Sequence, residues 1–210
     1  MQLTRLSVKD YVQRVADGYP TPGGGSVCAL AGSLGAALCL MVANLTLGRE
    51  KYRSEWPEMH KLSHSVSNLL SGLLELAERD AEAYDGVLSA YKLDQKNESQ
   101  KEERRDAIDS AMKQAALVPM EVLRALAKLT DFVEEAIEKG NPNCLCDIAV
   151  AAQLIRATAI GASYNVRVNL SNIADKNFSS CLQNEMTGLK NNIVQAIDRL
   201  EARIEVAFKM

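Results

Sequence analysis

The chain has 210 residues and a formal net charge of −3, a length that predicts one domain over residues 1–210 with a substantial buried core. It has neither a basic arm nor interleaved aromatic residues, so nucleic acid is excluded as an expected partner. Only 5% of the residues are aromatic, while Ala, Leu, Glu and Lys are abundant, and this composition favours helices over sheets.

Cysteine usage indicates the compartment. The five cysteines are odd in number and have no framework spacing, and no signal peptide precedes them, so we expect a reducing cytosol and a cytoplasmic protein. Cys144 and Cys146 could belong to a metal site, but His60 and His64 lie far away and there is no second cysteine pair. We therefore expect no metal, no disulfides, and thiols that act as small apolar residues.

A glycine-rich arm near the start of the chain leads into an uncharged helix. Ser7, with Asp10 three residues later, predicts the start of a short helix that Gly18 ends. Pro20 and Pro22 keep the next residues extended, and Ser26 is the expected N-cap of a helix over residues 27–47. The glycines between them are Gly23, Gly24 and Gly25. Either their N–H groups bind an anion or a polarised carbonyl, or the glycines only allow two backbones to pack closely.

The uncharged helix itself is expected to be central. Small residues recur in it at spacings of three to four, which lets neighbouring helices approach on several sides; they are Gly32, Gly35, Ala36 and Ala43. Its length of about 31 Å also suits a bilayer, but polar residues such as Asn44 favour a core helix and no membrane association. A basic cluster follows, with Arg49 and Lys51.

The next long helix, expected to start near Pro57, has an interrupted apolar stripe. Apolar residues recur from Leu62 to Tyr91, but Asp80 stands where another apolar residue is due. A carboxylate on a buried stripe must be paired, hydrogen-bonded or protonated, and burial raises its pKa toward a range useful for proton transfer. The alternative is that Asp80 lies at the edge of the stripe and meets a surface lysine.

The second half of the chain predicts three or more further helices. The polar residues 94–105 predict an exposed loop and the first turns of a helix. Pro119 is expected to interrupt this helix, and another helix is expected to follow it and end at Gly140. A weakly charged helix from residue 148 to about 175 follows, with Asn143 or Cys146 at its cap and Asp147 in its first turn, where the dipole stabilises an ionised carboxylate.

Two further patterns occur near the end of the chain. Asn165, Asn169 and Asn172 place amides along one helix face, where they either satisfy neighbouring helices or bind a heterocycle. From Leu182 to Ala207, apolar residues recur at alternating spacings of four and three residues, as in the seam of a coiled coil. We expect this seam to pack against another helix, from the same chain or from a second one.

Two parts of the chain resemble signatures of the formiminotransferase-cyclodeaminase C-terminal family. The first signature matches residues 19–32, 41–48 and 51–52. The second matches residues 140–143, Asp147 and residues 161–175. Residues 80–84 and the Arg104–Arg105 pair before Pro119 also fit that family. The family includes folate cyclodeaminases and stand-alone methenyltetrahydrofolate cyclohydrolases. Cys144 and Cys146 stand where its members often carry serine, and Asp94 stands where a proline is common.

The resemblance implies an all-α fold, a multihelical bundle with a buried central helix rich in small residues and with long amphipathic helices. It also implies a homodimer, a tetrahydrofolate derivative as substrate, and no prosthetic group. Asp80 or Asp147 is the expected proton-transfer carboxylate, and Lys51 a proton donor or an anchor for the folate tail. The expected substrate-binding residues are Pro22, Gly23, Gly24, Gly25, Ser26, Asn44, Arg49, Tyr84, Arg105, Asn143, Asn165 and Asn169.

Three functions follow from the resemblance and the residues. The first is hydrolysis of 5,10-methenyltetrahydrofolate to 10-formyltetrahydrofolate in one-carbon metabolism. It is favoured because these residues include no formiminotransferase domain that would supply a formimino substrate. The second is cyclodeamination of 5-formiminotetrahydrofolate with release of ammonia, and the third is a non-catalytic folate-binding helical dimer.

Overall fold

The computed structural model describes residues 2–208, which form six α-helices, three short 3₁₀ turns and no strand. The helices are α1 (Val8–Ala16), α2 (Gly24–Leu47), α3 (Trp56–Tyr91), α4 (Glu98–Lys139), α5 (Leu145–Leu170) and α6 (Lys176–Phe208). The 3₁₀ turns are Leu3–Arg5, Glu50–Glu55 and Pro142–Cys144. The predicted all-α fold is therefore confirmed.

Helix α2 lies at the centre of the bundle, as its uncharged sequence predicts. At Gly32, a side chain would meet Leu73 of α3, Leu126 of α4 and Thr158 of α5, all within 3.5 Å. Gly24 faces Asn165 of α5, whereas Gly35 faces the Ala151 carbonyl near the other end of that helix. Helices α2 and α5 are therefore antiparallel, and small residues on α2 allow three helices to pack closely around it.

Two segments, Gly24–Leu47 and Pro142–Leu170, have the length and apolar composition of membrane-spanning helices. Both have one side buried inside the bundle, including Ala29, Ala36 and Val42 on α2 and Ile155 and Val166 on α5. The central helix is thus part of a protein core, although one apolar side of it, with Val27, Leu34 and Leu45, is exposed.

Ser26 was expected to cap α2, and this prediction is wrong. The helix begins three residues earlier than expected, with the extended Gly23 as its N-cap, because the glycine arm enters the helical conformation at Gly24. The Ser26 hydroxyl is buried in the first turn and donates to the Ala77 carbonyl of α3 at 2.8 Å. Ser7, in contrast, caps α1 as predicted, since its hydroxyl accepts from the Asp10 N–H at 3.1 Å.

Pro119 was expected to separate two helices, but α4 continues through it for 42 residues. A proline in a helix removes the N–H that would donate to the carbonyl four residues earlier, here that of Ala115. The side-chain amide of Asn169 on α5 donates to this carbonyl at 2.8 Å. A side chain 54 residues along the chain therefore supplies the hydrogen bond that Pro119 cannot make.

The start of α5 also differs from the prediction. Neither Asn143 nor Cys146 caps the helix, which begins at Leu145 with Cys144 at the N-cap position. Asn141 caps the preceding 3₁₀ turn, because its side-chain oxygen accepts from the Asn143 N–H at 3.1 Å. Asp147 does lie in the first turn of α5, and the helix ends at Leu170, before the expected residue 175.

The apolar seam of α6 packs against α4 and α5 of the same chain. Leu182, Met186, Ile193, Leu200 and Ile204 are buried, whereas Ala207 is exposed. Ion pairs flank the seam; Arg124 of α4, for example, donates to Glu185 at 2.7 Å. The seam is therefore largely filled within one subunit.

The bond between Asn169 and Ala115 can be tested with a double-mutant cycle. Asn169→Ala should lower the free energy of unfolding by about 1–3 kcal/mol, because the Ala115 carbonyl loses its donor. In a Pro119→Ala background this loss should shrink, since the new N–H at position 119 donates to the same carbonyl. Urea denaturation measures each value.

Asn165→Ala is the matched control for that cycle. The Asn165 amide donates to the Gly161 carbonyl of its own helix at 3.0 Å, so its removal should cost the same with or without the Pro119→Ala substitution. An equal cost of Asn169→Ala in both backgrounds would show that the bond does not compensate for the proline.

Candidate active site

A cleft of about 340 Å³ opens where the glycine arm meets α3, α4 and α5. We call it the Asp80 cleft. Its walls include Gly24 from the arm, Asp80 from α3, Met112 from α4 and Asn165 from α5. Because the antiparallel α2 and α5 place the start of one helix beside the end of the other, segments far apart in sequence meet here.

Asp80 is held against the first turn of α2. One of its carboxylate oxygens, Oδ2, accepts from the Ser26 N–H at 2.8 Å and lies 3.2 Å from the Ser26 hydroxyl. The positive end of the α2 dipole, which the sequence suggested as an anion site, thus contacts a carboxylate of the protein itself. This arrangement selects the hydrogen-bonded interpretation of Asp80 over a surface ion pair with lysine.

The protonation of Asp80 is shifted by its surroundings. Burial raises the pKa of its carboxyl above the ordinary value, and the hydrogen bonds from Ser26 partly oppose this effect. Asp80 still lines the cleft, with Oδ1 beside Gly25. The site therefore holds a carboxyl group that can exchange a proton with a ligand closer to neutral pH than an ordinary aspartate.

Gly25 is required by the closeness of this contact. A Cβ atom on Gly25 would overlap both Oδ1 and Cγ of Asp80, whereas one on Gly24 would lie 3.8 Å from Asn165, an ordinary contact. The glycine arm therefore has a specific role at Gly25, where the α2 backbone approaches the carboxylate closely.

The amide row lines one wall of the cleft, with Asn165 and Asn169 on α5 and Asn172 in the turn that follows this helix. One N–H of Asn165 is used on the Gly161 carbonyl, and one N–H of Asn169 on the Ala115 carbonyl. A carboxamide has two N–H donors and one acceptor oxygen, so each side chain retains groups for a ligand. The amide row thus donates hydrogen bonds to backbone carbonyls of the helices and still offers donors and acceptors to a heterocycle.

Several residues proposed from the sequence meet in this cleft. Its lining includes Gly23, Gly24, Gly25, Asp80, Tyr84, Asn165 and Asn169. Ser26 contacts it through Asp80, and Pro22 is buried immediately before the glycines. The cleft is also lined by residues that the sequence did not indicate: Pro20, Thr21, Val87, Met112, Ala115 and Val168.

Five other proposed residues lie at the opposite end of α2. Asn44 is twenty residues from Gly24 on this helix, or about 30 Å away at the helical rise. Asn141 joins that end to α5, because its N–H donates to Thr46 at 2.9 Å and its side chain accepts from Tyr52 at 3.0 Å.

Charged residues gather at that far end. Burial and the Asp147 charge raise the pKa of the Cys144 thiol and the Arg49 charge opposes them, so all three lie near one another. Lys51 lies over the Tyr52 ring, 4.6 Å from its centre. Within one chain, Asn44, Arg49, Lys51, Asn143 and Asp147 therefore form a second cluster that does not line the Asp80 cleft.

Arg105 belongs to neither cluster. It is exposed on α4, with its guanidinium 3.4 Å from Glu102 and 3.6 Å from Asp106. Its roles in substrate binding, like those of the second cluster, stay predictions. Among residues 2–208, no group of three His, Cys, Asp or Glu side chains is arranged to hold a metal ion.

The contact between Gly25 and Asp80 generates a paired prediction. Gly25→Ala should lower the free energy of unfolding by about 1–3 kcal/mol and reduce ligand binding, because the new methyl group displaces Asp80. Gly24→Ala should leave stability unchanged or slightly higher, since alanine favours the helix and its Cβ has room. Thermal unfolding of the two variants compares them; equal stability would contradict the proposed close contact.

Comparisons with known proteins show the family to which the chain belongs. The family model for formiminotransferase-cyclodeaminase matches residues 7–188. A methenyltetrahydrofolate cyclohydrolase from Methylorubrum extorquens is 33% identical over 183 residues, covering 87% of this chain and 88% of that protein. The formimidoyltransferase-cyclodeaminase of Rattus norvegicus is 30% identical over 97% of this chain, which spans 38% of the rat protein.

A solved structure matches the whole bundle. The crystal structure of formiminotetrahydrofolate cyclodeaminase from Thermotoga maritima superposes with a TM-score of 0.87 at 33% identity, covering 97% of this chain and 98% of that one. The relatives named by these comparisons are enzymes acting on folates. The chain belongs to the formiminotransferase-cyclodeaminase family.

Proposed function

We propose that this protein is a methenyltetrahydrofolate cyclohydrolase of one-carbon metabolism, which hydrolyses 5,10-methenyltetrahydrofolate to 10-formyltetrahydrofolate. The observation that carries the proposal is the charge of the Asp80 cleft, whose lining has one carboxylate and no Lys or Arg. The methenyl substrate carries a cationic amidinium, which such a site favours. The similarity to the Methylorubrum extorquens cyclohydrolase supports the same reaction.

In the proposed mechanism, Asp80 transfers the protons. Its carboxylate takes a proton from a water molecule as the water oxygen bonds to the amidinium carbon, and a tetrahedral intermediate forms. The bond from that carbon to the pterin nitrogen then breaks, and the protonated Asp80 returns a proton to the nitrogen. The carbon remains on the other nitrogen as a formyl group once the hydroxyl of the intermediate loses its proton to solvent. The cationic substrate and one water thus give the neutral formyl product and one H⁺, with no redox step.

The other walls of the cleft position the substrate. Asn165 and Asn169 offer amide donors and acceptors that match the amide-like edge of a pterin. Tyr84 is 41% exposed at the cleft and provides an aromatic surface for a planar ring. The backbone of Gly23 and Gly24 allows the ligand to lie close, since it has no side chains there.

Cyclodeamination of 5-formiminotetrahydrofolate is the second candidate function. The close match to the Thermotoga maritima cyclodeaminase favours it. The formimino carbon, which is bound to the pterin nitrogen N5, is attacked by the amine nitrogen N10 of the same folate instead of by water, and ammonia leaves from a related tetrahedral carbon. A carboxylate in the position of Asp80 would serve either reaction, so the substrate decides between them.

The reaction is tested by supplying each purified folate to the protein. We expect loss of methenyl absorbance that is at least about 10²-fold slower in Asp80→Asn, and unchanged in Asp85→Asn, an exposed residue on the same helix. Since ionised Asp80 is the base, kcat/KM should fall as the pH falls through its raised pKa. Asp80→Asn should lack this part of the pH profile.

Two results would reject the hydrolysis. Ammonia release from the formimino compound, without consumption of the methenyl compound, would establish cyclodeamination. Tight folate binding without turnover of either compound would indicate a non-catalytic folate-binding dimer. Asn at position 80 can still accept from the Ser26 N–H, so loss of activity in that variant reports the lost proton transfer.

We also propose a homodimer formed through α2. An apolar stripe on this helix is left exposed or half-buried, with residues four and three apart as in a coiled-coil seam: Val27, Ala31, Leu34, Leu38, Met41 and Leu45. It carries no charge, and a second copy of the same stripe across a two-fold axis would cover it. With the helices antiparallel, Lys51 and Asp147 of the partner subunit would approach the Asp80 cleft.

The dimer is tested at the centre of this stripe. Leu34 is 53% exposed, and Leu34→Glu should convert particles of twice the chain mass into monomers of 22.9 kDa, measured by light scattering. Val8→Glu, at an 83% exposed position on α1, should leave the dimer intact. A wild-type protein that is monomeric, or a dimer that persists in Leu34→Glu, would contradict this interface.

A heterodimer shows whether the partner completes the site. An Asp80→Asn chain paired with an Asp147→Asn chain contains one intact site if the two aspartates act across the interface, and should have about half the wild-type activity. An inactive heterodimer would show that Asp80 and Asp147 must belong to the same subunit to be effective.

We also propose a cytoplasmic location, because five free cysteines suit a reducing compartment. Cell fractionation tests this location.

A further inference from the structure

A second groove lies outside the Asp80 cleft, between α5 and α6. It has a volume of about 590 Å³ and is lined by Tyr164 and Arg167 from α5 and by Lys190, Gln195 and other polar residues from α6. No carboxylate lines it. Its charge is therefore opposite to that of the Asp80 cleft, which has a carboxylate and no cation.

In the described part of the chain, the two cations of this groove, Arg167 and Lys190, have no carboxylate partner, unlike several arginines at the helix contacts. Arg156, three turns earlier on α5, lies 2.5 Å from Asp198 and 3.3 Å from Glu201. Arg124 and Arg203 also reach carboxylates across helix contacts. Within residues 2–208, Arg167 and Lys190 have no carboxylate within salt-bridge distance. They are thus available to bind an anion.

The groove and the cleft share α5 as a wall. Asn165 and Val168 line the cleft, whereas Tyr164 and Arg167, their neighbours in sequence, line the groove. Tyr164 and Val168 are 60% and 64% exposed at the edge between the two cavities. A helix with its side chains is about 10–12 Å wide, so an extended ligand can occupy one cavity and cross this edge to the other.

We propose that the α5–α6 groove binds the carboxylates of the folate's glutamate tail through Arg167 and Lys190, while the cationic head lies in the Asp80 cleft. This assignment rests on the proposed folate substrate. Arginine and lysine bind carboxylates through charge-assisted hydrogen bonds, and the amides and hydroxyls of the groove add neutral donors. The bundle thereby separates two sites of opposite charge for the two ends of one molecule.

Other cations are less suited to this role. Arg105 already lies beside Glu102 and Asp106, which would repel an incoming carboxylate. Arg49 and Lys51 lie beyond the far end of α2, about 30 Å from the cleft within one chain. The groove is therefore a cationic surface that adjoins the cleft in the same subunit.

The test compares methenyltetrahydrofolate carrying one glutamate with the form carrying five γ-linked glutamates. In Arg167→Gln/Lys190→Gln, the KM for the five-glutamate form should rise about tenfold with little change in kcat, and less for the one-glutamate form. The control Arg199→Gln removes a cation from α6 outside the groove and should change neither KM. Added salt should raise the KM of the wild type more than that of the double variant.

Binding is also measured without chemistry, by calorimetry with five-glutamate tetrahydrofolate. The double variant should bind it about tenfold more weakly than the wild type. The binding measurement tests the groove independently of the proposed reaction. A wild-type protein that binds the folate without turning it over would overturn the reaction and leave the groove proposal standing. An unchanged affinity and KM in the double variant would overturn the groove. The groove would also be overturned if Lys51→Gln, and not the double variant, weakened binding of the five-glutamate folate, because the tail would then lie across the subunit interface.

Discussion

The contact between the Asp80 carboxylate and the first turn of α2 determines the rest of the site. It joins the central helix to α3, since Ser26 bonds to both Asp80 and the Ala77 carbonyl. It requires a glycine at position 25, where any side chain would overlap the carboxylate. Burial makes ionisation costly, and the N–H group and helix dipole limit that cost without removing it. The same contact thus anchors two helices and maintains a titratable group at the cleft.

The sequence predicted the parts of this arrangement that local pattern determines. An uncharged run of small residues indicated the central helix, and a break in the apolar stripe of α3 singled out Asp80. Both follow from helical periodicity, which shows that a face is buried without showing what covers it. The pairing of Asp80 with Ser26, 54 residues earlier, was beyond this reasoning, so Ser26 was assigned the wrong role as a cap.

Long-range contacts account for the remaining differences. Pro119 has strong local reasons to end a helix, yet α4 continues because Asn169 bonds to the freed carbonyl from another helix. Met112 and Ala115 enter the cleft through that same contact between α4 and α5, and nothing in their spacing indicated it. Asp80 was selected for its place on an apolar stripe, and Asp147 for its place in the family signature. The antiparallel course of α2 and α5 separates them by roughly the length of a helix within one chain.

Charge is distributed in this bundle in a way that restricts its ligands. Within one chain, a cavity with a buried carboxylate and no cation disfavours anions, and a groove with two unpaired cations disfavours cations. A ligand that occupies both in the correct order must have a neutral or positive head, a connecting segment about as long as a helix is wide, and an anionic tail. Binding energy from the tail then also orients the head, because the two ends cannot be exchanged without placing like charges together. Such orientation holds the reacting carbon beside Asp80, where proton transfer requires it.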